Sequence, residues 1–308
     1  MNAIVHARPL PAPAPSGGQL ARRLADRYSD RVTGQFTIPG RAADLRPLPR
    51  ELPPALAAAL QARGIRSLYA HQARAWEAAR AGRHVVVATP TASGKSLCYT
   101  LPVVSAALEQ GAKALYLFPT KALAQDQVAE LLELNKAGDL GLRAATFDGD
   151  TPGDARQAIR LHGDVVVSNP DMLHQAILPH HTKWARFFEN LRYVVIDEVH
   201  TYRGVFGSHV ANVIRRLKRV CAFYGARPQF ILCSATIGNA AGHAAALIED
   251  AVEAITESGA PSGDKHILLW NPPVVNPDLG IRASARSQAN RIARMAIKSG
   301  LKTMVFCQ

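Results

Sequence analysis

The sequence predicts a doubly wound α/β fold with a mostly parallel sheet. Short apolar runs rich in β-branched residues alternate with segments of helical periodicity. The runs are HVVVAT, KALYLFP, LRAATF, DVVVSNP, RYVVID and QFILCSAT. Because the runs are continuously apolar, both faces of each strand should be buried, and the intervening helices make the strands parallel. Ligands bind such sheets at the carboxyl ends of the strands, so candidate functional residues are those that follow each run.

The composition favours an anionic partner. The chain has 308 residues, a formal net charge of +12 and a pI of about 9.9. This charge points to nucleic acid first and to an anionic membrane second, although charge alone does not exclude a merely basic cytoplasmic protein. No apolar run is long enough to span a bilayer and the N-terminus lacks the apolar core of a signal peptide, so we expect a cytoplasmic protein. The four cysteines are scattered in apolar segments, which indicates buried thiols and no zinc site in these residues.

Composition and pattern divide the chain into four expected parts. The last contains a basic helix and TMVFCQ, which is strand-like, and no helix follows to cover that strand. We therefore expect a second sheet that continues beyond these residues. The parts are a disordered lead (1–18), an accessory N-terminal segment (19–66), a nucleotide-binding lobe (67–275), and a linker helix with the first strand of a truncated second lobe (276–308).

A phosphate-binding loop is predicted in VVVATPTASGKSLCYTLP, residues 85–102. It fits the pattern G-x-x-x-x-G-K-[ST] except that Thr89 replaces the first glycine. Pro90 favours an extended Thr89, which ends a strand without glycine, and the small residues that follow let backbone N–H groups approach phosphate at a helix N-terminus. Lys95 would reach the β- and γ-phosphates and Ser96 would hold Mg²⁺. The alternative is a strand–turn–helix with a chance Gly-Lys-Ser. The predicted nucleotide-binding residues are Thr89, Pro90, Thr91, Ala92, Ser93, Gly94, Lys95 and Ser96.

A second motif, RYVVIDEVH at 192–200, is an apolar strand that ends in two acids. Asp197 at the strand end can hold Mg²⁺, and Glu198 can orient and deprotonate an attacking water. The alternative is a strand capped by solvated acids. Downstream of a phosphate loop, however, the pair predicts an ATPase whose catalytic residues are Lys95, Asp197 and Glu198.

The ordered set TPTASGKS, PTKALAQDQ, SNPDML, DEVH and SAT resembles motifs I, Ia, Ib, II and III of superfamily 2 helicases of the DEAD/DEAH type. In that superfamily the phosphate loop commonly lacks its first glycine. The resemblance covers roughly residues 68–308. It implies a RecA-like P-loop NTPase lobe, ATP with Mg²⁺, and an enzyme that couples ATP hydrolysis to nucleic-acid unwinding.

The resemblance also implies further site residues. Gln72, in LYAHQARAWEA, matches a glutamine that reads the adenine, although a helix-surface residue is the alternative. Residues of DEVH and SAT match elements that couple the phosphate site to the nucleic-acid groove: His200, Ser234, Ala235 and Thr236. Residues after the next three strands match contacts to a nucleic-acid backbone, which carry no base code, and each also fits an ordinary turn. They are Thr120, Lys121, Asp148, Gly149, Ser168 and Pro170.

Two departures narrow the resemblance. DEVH in place of DEAD argues against a typical DEAD-box RNA helicase. The stretches LYAHQ, FDGDTP, DEVHTYRGVFGSHVANVIRRL and GAPSGDKHILLWNPP are similar to the mitomycin repair factor helicases of bacteria and their RecQ-related eukaryotic relatives. This implies a DNA translocase that moves 3′ to 5′ on single-stranded or partly duplex DNA, with a role in DNA repair.

Relatives of that group also have a second lobe and a cysteine-rich, zinc-binding C-terminal domain. The resemblance therefore implies that these residues are an N-terminal piece, which binds ATP but hydrolyses it very slowly without the arginines of the second lobe. Two alternatives stay open. One is an RNA-directed helicase of the same superfamily, and the other is a nucleic-acid-binding module that binds ATP without turning it over.

Overall fold

The structure is a computed structural model that describes residues 16–306. The predicted disordered lead lies outside the described residues except for its end, where Gly17 and Gly18 already belong to a helix. The helix starts there because Ser16 and Gln19 form a capping box: the Ser16 hydroxyl accepts from the Gln19 N–H, and the Gln19 side chain accepts from the Ser16 N–H. The described residues form two compact units, a central unit (43–261) and a flanking unit (16–42 with 262–306).

The strands and helices follow one another along both units. The strands are β1 (Val32–Ile38), β2 (Leu45–Pro47), β3 (Ser67–Tyr69), β4 (Val85–Ala88), β5 (Lys113–Leu117), β6 (Ala144–Thr146), β7 (Val165–Ser168), β8 (Leu191–Ile196), β9 (Gln229–Ser234), β10 (Glu253–Ile255), β11 (Lys265–Trp270), β12 (Val274–Asn276) and β13 (Ile281–Arg282). The α-helices are α1 (Gly17–Arg27), α2 (Pro54–Ala62), α3 (Ala70–Arg80), α4 (Ser96–Gln110), α5 (Lys121–Gly138), α6 (Gly153–His162), α7 (Pro170–Met172), α8 (Ala185–Glu189), α9 (Gly204–Phe223), α10 (Ala240–Ile248) and α11 (Ala285–Lys298).

The central unit is built on a seven-stranded sheet in the order β10-β4-β9-β8-β5-β7-β6. Every neighbouring pair in it is parallel. All residues of β4, β7 and β9 are buried, as their continuously apolar sequences predict. The predicted doubly wound parallel sheet is therefore confirmed.

Helices cover both faces of this sheet. Successive side chains of a strand point to opposite faces, and β4 shows the result: Val85 and Val87 join one hydrophobic cluster, whereas Val86 joins the other. The first cluster includes Leu56 of α2 together with residues of α3, α4 and α5. The second includes Ile214 of α9 together with residues of α8 and α10. This two-sided core fixes the strand ends, and with them the loops that carry the motifs.

The flanking unit is a separate, smaller body. Its β1 pairs antiparallel with β11, from Val32↔Trp270 to Ile38↔Lys265. A small hydrophobic cluster joins Leu20, Leu24 and Tyr28 to Ala296 of α11. The first and last parts of this unit are thus held together by a sheet whose strands lie far apart in sequence.

The unit boundaries differ from the predicted parts. The predicted accessory segment is divided between the units, because β2 pairs with β3 and α2 packs on α5 of the central unit. The predicted basic helix occurs as α11. Residues 301–306 form no strand among the described residues, and the first strand of a second lobe stays a prediction. A strand requires a hydrogen-bonded neighbour, and none of the described strands pairs with this segment.

No helix in the part of the chain that the structure describes has the length and apolar character needed to cross a bilayer.

Candidate active site

The two predicted nucleotide motifs meet at one edge of the central sheet. The phosphate loop follows β4 and the two acids follow β8, while β9 lies between these strands and ends at Ser234. Because all three strands are parallel, their carboxyl ends share one edge. The topology thus brings together residues that are about a hundred positions apart in the chain.

The phosphate loop closes without its first glycine. Thr89 and Ser93 are buried, and their hydroxyl oxygens lie 2.7 Å apart, within hydrogen-bond distance. The turn itself needs left-handed backbone at Ala92 (φ 61°) and Gly94 (φ 78°). A hydroxyl pair therefore holds the start and the turn of the loop together, and α4 begins immediately afterwards at Ser96. The backbone N–H groups at the start of α4 form a site that favours phosphate.

The Lys95 side chain lies across this loop. Its Nζ donates to the carbonyl oxygens of Thr89 (3.0 Å) and Pro90 (3.1 Å). These are weak neutral acceptors for a full positive charge, and a phosphate oxygen would be a stronger one. The ammonium is thus held at the loop and ready to exchange carbonyl acceptors for an anion.

Gln72 is buried, so the alternative of a helix-surface residue is excluded. Its Nε2 donates to the Gly94 carbonyl (2.8 Å), and its Oε1 accepts from the Tyr69 N–H (2.8 Å). A Cβ added at Gly94 would lie 2.7 Å from Gln72 Nε2. Gln72 therefore braces the phosphate loop, and its predicted contact with adenine stays a prediction.

Asp197 and Glu198 follow β8 in a strained turn. Glu198 has left-handed backbone (φ 50°), an unfavourable conformation for a non-glycine residue that is often found at functional sites. Asp197 Oδ1 accepts the Glu198 N–H at 2.7 Å. Burial raises the pKa of the Asp197 carboxyl, the negative Glu198 raises it further, and Lys95 opposes both effects. The interaction with Lys95 joins the two motifs electrostatically.

One contact of Asp197 was not predicted from the sequence. The hydroxyl of buried Tyr99, in α4, lies 3.3 Å from Asp197 Oδ2 and 2.7 Å from Gln127 Oε1 of α5. Burial is the main reason that the pKa of the Tyr99 hydroxyl lies well above its usual range, so it stays protonated and donates. The sequence signal was available but weak: Tyr99 is a polar aromatic residue within the apolar start of α4.

His200 lies between the acids and the SAT motif. Its Nδ1 is 3.2 Å from Glu198 Oε2, 3.4 Å from Ser234 Oγ and 3.3 Å from the Ala235 nitrogen. A protonated Nδ1 donates to Glu198, whereas an unprotonated Nδ1 accepts the Ala235 N–H, so the same atom cannot serve both. The predicted coupling residues are thus brought together, with the exception of Thr236, which is exposed.

The predicted nucleic-acid residues follow β5, β6 and β7, three neighbouring strands. Three of them are exposed: Thr120, Lys121 and Gly149. Thr120 caps α5 through a bond from the Leu123 N–H to its hydroxyl. Lys121 Nζ donates to Asp150 at 2.6 Å, which raises the pKa of the lysine. These groups form a polar surface at the carboxyl ends of β5 and β6, separated from β4 by β9 and β8, that can contact a sugar-phosphate backbone.

The other three are buried and stabilise the loops. The Asp148 carboxylate accepts from the Asp150 N–H (2.9 Å) and the Thr151 hydroxyl (3.2 Å). The Ser168 hydroxyl donates to the Phe147 carbonyl at 2.6 Å. Pro170 is buried in the first turn of α7. For these residues the structure favours the turn interpretation over a direct side-chain contact.

A site for Mg²⁺ is compatible with this arrangement. No group of three or more His, Cys, Asp and Glu side chains within residues 16–306 could hold a metal by itself. An ATP-bound Mg²⁺, however, takes one or two protein oxygens and completes its shell with phosphate and water. The Ser96 hydroxyl and the Asp197 carboxylate are oxygen ligands of the kind that Mg²⁺ prefers.

The chain is similar to known helicases. The family model for DEAD/DEAH box helicases matches residues 69–242. An uncharacterised ATP-dependent helicase of Bacillus subtilis, YprA, is 50% identical over 91% of this chain, which spans 38% of that protein. The ATP-dependent helicase hrq1 of Schizosaccharomyces pombe is 41% identical over 85% of this chain, which spans 25% of it.

Solved structures agree with these relatives. The crystal structure of the DUF1998 helicase MrfA bound to DNA and AMPPNP is 49% identical, with a TM-score of 0.88, and the match covers 92% of this chain and 40% of that one. The helicase Lhr of Mycobacterium smegmatis, at 22% identity and a TM-score of 0.59, shares the fold. The sheet is therefore a RecA-like lobe. Since the matching family model covers more than half of the sequence, the chain belongs to the DEAD/DEAH box helicases.

Proposed function

We propose that this chain is the first motor lobe of an ATP-dependent DNA helicase or translocase. The observation that carries the proposal is the meeting of Lys95, Asp197 and Glu198 at the carboxyl edge of one parallel sheet, where Lys95 acts electrostatically on Asp197. An ammonium at a phosphate loop, a metal-binding acid and an adjacent base are the groups that ATP hydrolysis requires. Their arrangement supports hydrolysis rather than nucleotide binding alone.

In this proposal each residue has one role. The phosphate loop and Lys95 bind the β- and γ-phosphates, and Ser96 with Asp197 holds Mg²⁺, which neutralises charge on the phosphates. Glu198 accepts a proton from the attacking water. Gln72 holds the loop through its hydrogen bond to the Gly94 carbonyl, and by the resemblance it would also contact adenine. His200 responds to the state of Glu198 through the Nδ1 atom that it also directs at Ser234 and Ala235.

DNA is the proposed nucleic acid. The exposed loops after β5 and β6 present Thr120, Lys121 and Gly149 to a backbone, which suits a partner read without base specificity. The net charge of +12 supports an anionic partner, and the similar MrfA structure holds DNA. Movement from 3′ to 5′, a role in DNA repair and a cytoplasmic location are further proposals that rest on the resemblance.

The second lobe and the cysteine-rich domain of the helicase are proposals too. A second RecA-like lobe would supply the arginines that stabilise the transition state, and a cysteine-rich domain would bind zinc. In this proposal residues 16–306 bind ATP, and full turnover needs the second lobe.

The experiment that tests the proposal compares nucleic acids. Phosphate release by the full-length protein is measured alone, with single-stranded DNA and with RNA of the same length and sequence. Stimulation by DNA well above stimulation by RNA supports the proposal. Equal or greater stimulation by RNA would overturn the choice of DNA, and ATP binding without turnover under all conditions would overturn the motor.

A further inference from the structure

The flanking unit contains a basic cavity that the motor motifs do not use. It lies between the end of α1 and one face of α11 and has a volume of about 520 Å³. Its polar lining consists of Arg27, Ser287, Asn290, Arg291, Arg294 and Lys298. We refer to it as the α1–α11 cavity.

The lining of the α1–α11 cavity has one sign of charge. Four cationic side chains line it and no carboxylate does. None of the ion pairs found among residues 16–306 includes Arg27, Arg291, Arg294 or Lys298. Some arginines elsewhere are paired, for example Arg215 with Glu249 and Arg143 with Asp164. The cavity therefore concentrates positive charge that its own unit does not neutralise, a condition that attracts an anion.

The floor of the cavity is organised around a buried tyrosine. Guanidinium groups of Arg27 and Arg291 lie 5.6 and 5.3 Å from the centre of the Tyr28 ring. The Tyr28 hydroxyl is 3.9 Å from the Met295 sulfur, and its ring contacts Trp270 edge-on at 5.2 Å. Cation–π contact within about 6 Å holds a guanidinium over a ring. Two of the four cations are thus positioned before any ligand binds.

The spacing of the cations fits a chain of phosphates. Arg291, Arg294 and Lys298 stand three and four residues apart on one face of α11. At 1.5 Å per residue they span about 10 Å along the helix. One strand of stacked DNA carries a phosphate roughly every 3.4 Å of its axis, so this stretch matches about three phosphates. Arginine forks bind phosphate oxygens in pairs, and Ser287 and Asn290 add uncharged hydrogen-bonding groups.

We propose that the α1–α11 cavity is a second contact site for DNA, which binds the sugar-phosphate backbone outside the motor lobe. The identity of the ligand as DNA rests on the proposed function, whereas the anionic character of the ligand follows from the cavity itself. The site reads no sequence, because its cations bind phosphate and not base edges.

The test removes the cavity charges and measures binding of labelled single-stranded DNA over a series of salt concentrations. The cavity variant is Arg291→Gln/Arg294→Gln/Lys298→Gln. The matched control is Arg22→Gln/Arg23→Gln/Arg286→Gln, which removes the same charge from exposed positions of α1 and α11 outside the cavity. Arg294→Gln/Lys298→Gln keeps the Arg291–Tyr28 contact and so reports on charge without disturbing the floor. Circular dichroism and ATP binding monitor the fold of each variant.

At 50 mM salt the cavity variant should bind DNA at least about tenfold more weakly than the wild type. The slope of its plot of log affinity against log salt should be smaller in magnitude by about two, since each of the three lost phosphate contacts to a single strand contributes roughly 0.7. The control should lie near the wild type. Equal affinities and slopes for all proteins would overturn the cavity assignment while leaving the motor proposal intact. Absence of DNA binding by the wild type would instead overturn the proposed function. An equal loss of binding to oligoglutamate of matched charge would overturn the assignment to nucleic acid.

Discussion

The Tyr99 hydroxyl lies 3.3 Å from Asp197 Oδ2, so the helix that starts at the phosphate loop is hydrogen-bonded to the acid at the end of β8. The same hydroxyl is 2.7 Å from Gln127 of α5, the helix that begins at the exposed residues Thr120 and Lys121. A single proton of Tyr99 therefore lies between Asp197, the proposed Mg²⁺ ligand, and α5, which begins at a candidate nucleic-acid loop.

Tyr99→Phe should move the acid limb of the ATPase pH profile to higher pH. The hydroxyl favours the charged form of Asp197, and without it the pKa of this carboxyl, already raised by burial, rises further. Because Asp197 must be ionised to hold Mg²⁺, lowering the pH should abolish the activity of the variant at a higher pH than that of the wild type. The measurement is kcat against pH, and the control is Tyr193→Phe in β8, the strand that ends just before Asp197. Superimposable profiles for wild type and Tyr99→Phe would show that the contact has no effect on Asp197.

Asp197→Asn should stabilise the nucleotide-free protein at neutral pH while abolishing its response to Mg²⁺ and ATP. The folded-state pKa of Asp197 is raised, so folding favours the protonated form. This contribution is present at low pH and is lost as pH rises through the folded pKa. An uncharged amide removes the cost of an ionised, desolvated carboxylate. Thermal unfolding at pH 7 should give a higher Tm for the variant without ligand, and a Tm that Mg²⁺ and ATP no longer raise. A lower Tm without ligand would contradict the raised pKa.

The variant Gln72→Ala tests whether Gln72 only supports the phosphate loop or also contacts adenine. Loss of the two hydrogen bonds to Gly94 and Tyr69 should weaken binding of ATP and GTP alike if Gln72 only supports the loop. If it also reads adenine, ATP should lose more affinity than GTP, by on the order of tenfold for a lost pair of hydrogen bonds. Titration of both nucleotides gives the ratio. An unchanged affinity for both ATP and GTP would show that Gln72 does not contribute to nucleotide binding.

Lys95→Ala should abolish productive ATP binding, because no other cation takes the place of Nζ at the carbonyls of Thr89 and Pro90 among the described residues. The measurement is the rise in Tm on adding Mg²⁺ and ATP, with the exposed Lys136→Ala as a control of equal charge. A Lys95→Ala protein that binds ATP as tightly as the wild type would show that the loop is not the phosphate site.

The strands of the central sheet could be predicted from the sequence where their composition is apolar throughout. The runs of β4, β7 and β9 are apolar throughout because they are buried on both faces. By contrast β10 has three residues, too few to show a pattern, and β1 is recognisable only from its partner β11 more than two hundred residues later. The strand expected in TMVFCQ had the right composition but has no neighbouring strand in the described part of the chain.

The positions of the candidate site residues could be predicted from the sequence but their contacts could not, and their roles in catalysis stay predictions. Lys95, Asp197 and Glu198 occupy the places that their motifs indicate, since strand ends fix them. The burial of Gln72 and the Tyr99 bridge depend on packing between distant elements, which no local pattern encodes. Burial of Asp148, Ser168 and Pro170 likewise depends on tertiary packing, so their motifs do not distinguish them from exposed backbone contacts.

The role of Glu198 in an ATP-driven motor is tested by measuring phosphate release by full-length wild type and Glu198→Gln, each with single-stranded DNA, together with ATP affinity in the same samples. We expect the variant to bind ATP as tightly as the wild type but to hydrolyse it at least roughly a hundredfold more slowly, the scale of a lost general base. DNA-stimulated turnover by Glu198→Gln at the wild-type rate would contradict the assignment of Glu198 and the ATP-driven motor built on it.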